Sequence, residues 1–224
     1  MVKRVLEGEL MLDPDQALAY ASADFDKPHS LFIELFQDVF CTVAENTHVL
    51  DLGCGPGDIT FRFARAFDGC CVHGVDGSEA MLLHAEKTLE AESSLQGRVH
   101  FFKAMLPILD LPCSQYDIII SNSLLHHLPD PAVLWKIVKA FAGPGAWIFI
   151  MDLKRPASLD EAAHLRDTYA KGEPEVLRQD FYNSLLAAFE PGEIKAQLLD
   201  AGLAGFNVEA VTDRHVVVSG QMPD

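Results

Sequence analysis

Short apolar runs alternate along this chain with longer stretches in which apolar and polar residues are mixed. The runs at 70–76, 116–122 and 146–153 have the length and content of strands buried in a sheet. The mixed stretches carry apolar residues three and four positions apart, which is typical of amphipathic helices. Strands and helices that alternate in this way predict an α/β fold with a mostly parallel sheet.

The pattern divides the chain into seven predicted strands and the helices between them. Strands are predicted at residues 47–52, 70–76, 99–104, 116–122, 146–153, 206–212 and 215–220. Helices are predicted from an N-cap at Asp13 to a break at Phe25 and Lys27-Pro28, and then at about 30–44, 59–64, 78–91, 129–141, 157–170, 175–189 and 191–201. Gly143-Pro144-Gly145 is read as the end of the helix at 129–141.

A glycine-rich turn follows the first strand, in the segment THVLDLGCGPGDIT at 47–60. Glycine permits positive φ and lets a ligand approach the backbone, so a turn at this edge of a parallel sheet indicates a binding site. The spacing is G-x-G-x-G, whereas dinucleotide folds use G-x-G-x-x-G. Asp51 also precedes the first glycine by two residues, and a carboxylate attracts a cationic ligand and repels a pyrophosphate.

The segment VLDLGCGPG resembles the first motif of the class I S-adenosylmethionine (SAM)-dependent methyltransferases. The resemblance implies a doubly wound, Rossmann-like sheet of order 3-2-1-4-5-7-6 with strand 7 antiparallel, and it implies SAM as the cofactor. It places the turn under the methionine part of SAM. The residues implied in this role are Asp51, Gly53, Cys54, Gly55 and Gly57.

Further cofactor contacts are expected where the next strands end. An acid at the end of the second strand typically accepts hydrogen bonds from ribose hydroxyls, and here that acid is Asp76. Where many family members carry an acid after the third strand, this chain has Ala104 and Met105, so contacts with adenine there are expected to be apolar or through the backbone. The other expected cofactor residues are Gly77, Ser78 (also a helix N-cap), Met81, Asn122, Ser123 and Tyr20. Met81 and Tyr20 are open to a second interpretation as ordinary packing residues.

The segment SNSLLHHLPDP after the fourth strand is similar to that of small-molecule C- and O-methyltransferases, including the quinone-biosynthesis type. His126 and His127 are the candidate catalytic residues, because a neutral imidazole is a suitable general base near pH 7. The alternative is that one or both histidines are structural. Asp152 either faces the acceptor or pairs with Lys154 or Arg155.

Composition restricts the partners. The chain has 17 basic and 33 acidic residues, a net charge of −16, which argues against a nucleic-acid substrate and against an anionic membrane surface. The five cysteines lack a C-x-x-C pair, so we expect reduced thiols, a cytoplasmic protein and no metal site. The first residues lack the apolar core of a signal peptide, and no apolar run is long enough to cross a membrane.

The length of 224 residues fits one methyltransferase domain, 1–224, with two additions. N-terminal helices at about 13–45 are expected to form a lid over the cofactor. The segment at about 154–190 is longer than a usual α/β connection and is expected to cap the pocket of a small-molecule acceptor. The sequence does not indicate the oligomeric state.

Two other functions remain open for this sequence. An NAD-dependent oxidoreductase would share the sheet, although the glycine spacing and Asp51 argue against it. A non-catalytic SAM-binding regulatory protein would keep the glycine turn without a pocket for an acceptor.

Overall fold

The computed structural model describes residues 2–7 and 14–224, with side chains in 2–7 and 16–224. The strands are His48–Leu52 (β1), Cys71–Asp76 (β2), Val99–Lys103 (β3), Tyr116–Asn122 (β4), Ala142–Leu153 (β5), Asn207–Ala210 (β6) and His215–Gln221 (β7). The α-helices are Pro14–Ser22 (α1), Asp26–Phe40 (α2), Asp58–Ala66 (α3), Glu79–Ala91 (α4), Ala132–Phe141 (α5), Leu159–Tyr169 (α6), Glu175–Ala187 (α7) and Pro191–Asp200 (α8). A single-turn 3₁₀ helix spans Leu125–His127.

The strands form one seven-stranded sheet in the order β3-β2-β1-β4-β5-β7-β6. β7 runs antiparallel to both β5 and β6, and the other neighbouring pairs are parallel. The predicted fold class, strand order and antiparallel strand 7 are therefore confirmed. The order reverses between β1 and β4, so the carboxyl ends of these two strands flank the crevice in which such sheets bind ligands.

Successive residues of the central strands face opposite helical layers. Leu50 lies in a core with Trp135 of α5 and Leu198 of α8. Its neighbour Val49 lies in the core on the other face, with Phe36 of α2. Because side chains alternate across a strand, this arrangement buries β1 on both faces and fixes its register.

Several predicted boundaries were wrong. α2 runs from Asp26 to Phe40 rather than from about 30 to 44, and Pro28 lies in its first turn. The first four N–H groups of a helix have no partner within the helix, so a proline there removes no hydrogen bond. β6 spans Asn207–Ala210 rather than 206–212. β5 begins at Ala142 rather than at 146, because Ala142 pairs with Tyr116 across a register shift in β4. The segment 143–145 is therefore part of the strand and does not end the preceding helix, and the predicted N-cap Asp13 lies outside the described residues.

The segment between β5 and α8 forms the helices α6 and α7. They pack through Leu165 and Leu185 against Leu153 at the end of β5. The amide Nε2 of Gln16 in α1 donates to Oδ2 of Asp180 in α7 at 2.8 Å. The N-terminal helix and the insertion thus meet on the same side of the sheet. In the described part of the chain, every helix is too short or too polar to cross a bilayer.

We expect Phe36→Ala to lower the free energy of unfolding by about 3–5 kcal/mol, because truncating a fully buried aromatic side chain leaves a cavity. Its ring packs on Phe63 and Phe149, so α2 belongs to the core. The control on the same helix is Val39→Ala, whose side chain is exposed and whose change should cost under about 1 kcal/mol. Urea denaturation measures both, and equal losses would contradict this packing.

Candidate functional site

The turn between β1 and α3 presents backbone to open space. Gly53, Gly55 and Gly57 all have positive φ, at 72°, 53° and 87°. The N–H groups of Gly53 and Cys54 donate to the carbonyl of Val75 at 2.8 and 3.0 Å, which joins the turn to β2. A Cβ at Gly53 would lie 2.9 Å from Leu124, whereas a Cβ at Gly55 would meet nothing within 4 Å. Gly55 therefore leaves room for a ligand directly over the backbone.

Two carboxyl groups lie beside this turn. Asp51 is 1% exposed, and its Oδ2 accepts a hydrogen bond of 2.6 Å from Thr60. Burial, with a smaller contribution from the charge of Asp76, raises the pKa of Asp51 to about 7. Asp76 accepts from the N–H of Gly55 at 2.8 Å and from that of Ser78 at 2.7 Å, and burial raises its pKa. Within the described residues, neither carboxylate is in an ion pair, so a cationic ligand would offset a cost that both now bear.

The end of β4 carries a buried hydrogen-bond acceptor, the side-chain oxygen of Asn122. Within the described residues, the buried Oδ1 of Asn122 has no hydrogen-bond partner. The next residue, Ser123, has a φ of 57°, and its N–H donates to the carbonyl of Met151 at 2.9 Å. A buried polar atom left unpaired is costly, so the Asn122 oxygen fits a ligand that donates a hydrogen bond.

The remaining predicted cofactor residues differ in their surroundings. Ser78 caps α4 through a 3.3 Å hydrogen bond from the N–H of Met81, and Met81 is 4% exposed in the core. The N–H of Ala104 donates to the carbonyl of Asp76, and Met105 is half exposed. Cys54 is buried and Gly77 is partly exposed. The structure thus gives Ser78 and Met81 clear structural roles and leaves Met105 accessible.

Tyr20 reaches this edge of the sheet from α1. Its ring packs on Phe25, with centroids 4.7 Å apart. Burial raises the pKa of Tyr20 to about 12, and the nearby charges of Asp58, Asp76 and Asp152 act in the same direction. The hydroxyl therefore stays protonated as a hydrogen-bond donor near the carboxylates.

His126 is held by Asp152. Nδ1 of His126 lies 2.6 Å from Oδ1 of Asp152, and Oδ2 of Asp152 accepts from the N–H of Leu125 at 2.6 Å. Burial alone would lower the pKa of His126, but the Asp152 carboxylate outweighs it and the pKa lies above its usual value. The predicted pairing of Asp152 with Lys154 or Arg155 was wrong. Arg155 instead binds Glu190 and Glu193 at 3.1 and 2.8 Å.

His127 has different electrostatics from its neighbour. Burial, and then the adjacent His126, lower the pKa of His127 to about 3, so its ring is neutral at pH 7. Its Nδ1 lies 3.4 Å from Oε2 of Glu7, and the same oxygen lies 3.9 Å from Nε2 of His126. Glu7 also accepts a hydrogen bond from Ser184 in α7. The two histidines thus meet one glutamate that is more than a hundred residues away in sequence.

Residues 2–7, which we call the N-terminal strap, cover the two histidines. Arg4 donates to the carbonyls of Ala187 at 2.6 Å, His126 at 2.9 Å and Leu128 at 3.0 Å. Its guanidinium carbon lies 3.9 Å above the ring of Phe189. Arg4 and Glu7 were not predicted from the sequence, because so short a segment carries no periodic pattern that would reveal its partners.

Together these features accommodate a ligand that is cationic and carries hydrogen-bond donors. The space over Gly55, the carboxyl groups of Asp51 and Asp76 and the unpaired oxygen of Asn122 lie at the carboxyl ends of β1, β2 and β4. SAM has an ammonium group, a sulfonium and ribose hydroxyls, so these residues fit it.

Comparison with known proteins supports this assignment. A family profile described as "Methyltransferase domain" matches residues 50–148. Ubiquinone biosynthesis O-methyltransferase of Bordetella pertussis is 34% identical over 110 residues, which are 48% of this chain and 43% of that protein. Trans-aconitate 2-methyltransferase of Mycobacterium tuberculosis is 31% identical over 170 residues, 72% of this chain and 57% of that protein. The chain thus spans about half the length of these curated relatives.

A solved structure extends the likeness over the whole fold. The plantazolicin methyltransferase BpumL, in complex with S-adenosylhomocysteine (SAH) and a monoazolic desmethylPZN analog, superposes with a TM-score of 0.73. It is 15% identical, and the match covers 95% of this chain and 91% of that one. The motif at the glycine turn, the strand order and these matches agree, and residues 50–148 carry a methyltransferase domain that supports a class I SAM-dependent methyltransferase, a family whose cofactor is S-adenosylmethionine.

Proposed function

We propose that this protein transfers the methyl group of SAM to a small-molecule acceptor. The observation that carries the proposal is the open backbone at Gly55 beside the carboxyl groups of Asp51 and Asp76, neither of which is in an ion pair within the described residues. SAM, when bound, supplies a methyl group that its sulfonium already activates for in-line displacement. The protein then needs chiefly to orient the two reactants and exclude water.

We assign one cofactor contact to each group at the carboxyl ends of β1, β2 and β4. The turn 53–57 lies under the methionine part, and the buried oxygen of Asn122 accepts a hydrogen bond from its ammonium. Asp76 already accepts hydrogen bonds from the backbone of Gly55, Ser78 and Gly77. A carboxylate has about four lone-pair sites, so one remains for a ribose hydroxyl. Tyr20 supplies its hydroxyl to the cofactor from α1.

The acceptor pocket is proposed to lie under the N-terminal strap, α1 and α7. Hydrogen bonds from Arg4, Gln16 and Ser184 join these three segments to one another and to the 3₁₀ helix. They enclose the side of the site beyond Asn122 and so exclude water. In this arrangement, α1 acts as the lid and the insertion at 154–190 as the cap of a single domain, 1–224. The predicted lid at 13–45 is thereby shortened, because α2 packs in the core through Phe32 and Phe36.

The charges around this pocket favour an uncharged or cationic acceptor. Arg166 and Arg178 share Asp167, Arg178 also lies 3.9 Å from Glu175, and Arg214 pairs with Asp213. Arg155 is likewise bound to two glutamates. These cations are already neutralised, so they offer little to a tricarboxylate such as the acceptor in the name of the mycobacterial relative.

We assign the general base, for an acceptor that must lose a proton, to His126. Its contact with Asp152 fixes the ring and raises its pKa, which makes it the stronger base of the two histidines, whereas burial and His126 lower the pKa of His127 to about 3. This pair also argues for an enzyme rather than a non-catalytic SAM-binding protein. The free thiols of all five cysteines support a reducing, cytoplasmic location.

Cofactor binding is tested by Gly55→Ala, with Gly97→Ala as its matched control. Both glycines have positive φ, and a Cβ at either would meet nothing within 4 Å. Each change should therefore cost about 1 kcal/mol of stability, but only Gly55→Ala should weaken binding of SAM and SAH, by about tenfold or more. Calorimetric titration measures the affinities. Equal affinities in the two variants and the unmodified protein would refute the proposed cofactor site.

The buried carboxyl of Asp51 predicts a specific pH dependence of stability. Its pKa is about 7 in the folded protein and near 4 in the unfolded chain, so the folded state holds the proton more tightly between these values. Stability relative to Asp51→Asn should therefore fall as pH rises from about 4 to about 7, by at most about 1.4 kcal/mol per unit, and then level off. Urea denaturation of both proteins across this range measures the difference. If the free energies of unfolding of the two proteins changed in parallel with pH, the pKa of Asp51 would be the same in the folded and unfolded chains, which would contradict this prediction.

Replacement of the proposed base should separate turnover from cofactor binding. After an acceptor is found with labelled SAM, we expect His126→Gln to reduce turnover about 10²-fold and to leave SAM affinity nearly unchanged. The acid limb of the pH–rate profile, set by the raised pKa of His126, should disappear in this variant. His127→Gln serves as the control and should retain that limb. Unchanged turnover and pH profile in His126→Gln would refute the assignment.

A further inference from the structure

A cluster of sulfur and imidazole ligands lies at the edge of the sheet opposite the glycine turn. Cys71 and His73 are two residues apart near the start of β2, so their side chains share one face of the sheet. His100 of β3 pairs in register with His73 and faces the same way. At about 3.3 Å per residue, the length of β2 separates this cluster from Asp76 at the other end of the strand.

The spacing of the three groups suits a tetrahedral metal ion. Sγ of Cys71 lies 3.5 Å from Nε2 of His73. With zinc–sulfur and zinc–nitrogen bonds of about 2.3 and 2.0–2.1 Å at a tetrahedral angle, the two ligand atoms are expected about 3.5 Å apart. One ligand atom from each of Cys71, His73 and His100 lies within 4.8 Å of the other two.

The central histidine is already held as a metal ligand would be. His73 is 5% exposed, and its Nδ1 lies 2.8 Å from the hydroxyl of Tyr116. A partner on one ring nitrogen fixes the tautomer and aims the other nitrogen, here Nε2, towards the metal.

We propose that Cys71, His73 and His100 bind a thiophilic divalent cation, with zinc as the ion that the ligand set fits best. The fourth position is open to water, because Cys71 is partly exposed and His100 is exposed. The bound ion would tie β3, at the edge of the sheet, to β2. This function is separate from the proposed methyl transfer.

The direct test is zinc titration of the tag-free, reduced protein in competition with a chromophoric chelator. We expect one equivalent to bind, and Cys71→Ser and His100→Gln to weaken its affinity by about tenfold or more. His100 is exposed, so His100→Gln keeps the fold even if Cys71→Ser does not. Cobalt should give the thiolate charge-transfer band and the intense visible bands of a tetrahedral site, and both should be lost in Cys71→Ser.

Two control variants locate the ion. Cys41→Ser removes an exposed thiol elsewhere and should leave zinc affinity unchanged. His127→Gln is needed because Glu7, His126 and His127 also place ligand atoms within 4.8 Å of one another. Zinc affinity that is unchanged in His100→Gln, or that is lost in His127→Gln, would overturn the proposal. So would the failure of zinc to bind more tightly to the unmodified protein than to His100→Gln.

Discussion

The carboxylate of Asp76 is the contact on which the candidate site depends. It stands at the end of β2 and accepts hydrogen bonds from Gly55, in the turn after β1, and from Ser78, at the start of α4. A single side chain thus sets the position of the glycine turn relative to the neighbouring strand and helix. Because hydrogen bonds to a carboxylate are stronger than those between neutral groups, this junction is rigid before any ligand arrives.

The carboxyl groups of the candidate site are compensated in two different ways. Asp152 is compensated within the protein by His126, and this contact holds the pKa of Asp152 below its usual value although burial opposes it. Asp51 and Asp76 have no such partner among the described residues, and burial raises the pKa of both. The first arrangement is a fixed pair of a histidine and a carboxylate. The second leaves uncompensated negative charge, which a cationic cofactor can neutralise.

The elements around the proposed acceptor pocket come from distant parts of the chain. The N-terminal strap, α1 and α7 meet over the 3₁₀ helix, and Arg4 and Glu7 supply many of the contacts. α1 also packs against α4 of the sheet layer and brings Tyr20 close to Asp76. These segments therefore join the acceptor side of the site to the cofactor side.

The sequence by itself determined the features that depend on neighbours along the chain. Apolar periodicity marked the strands and helices, and glycine spacing with its nearby acid indicated the turn and a cationic ligand; the strand order followed from the family resemblance. Tertiary structure alone decided which distant groups meet: Asp152 with His126, Glu7 with both histidines, and Cys71 with His100. These contacts depend on strand register and on how the terminal segments pack, and local periodicity contains neither.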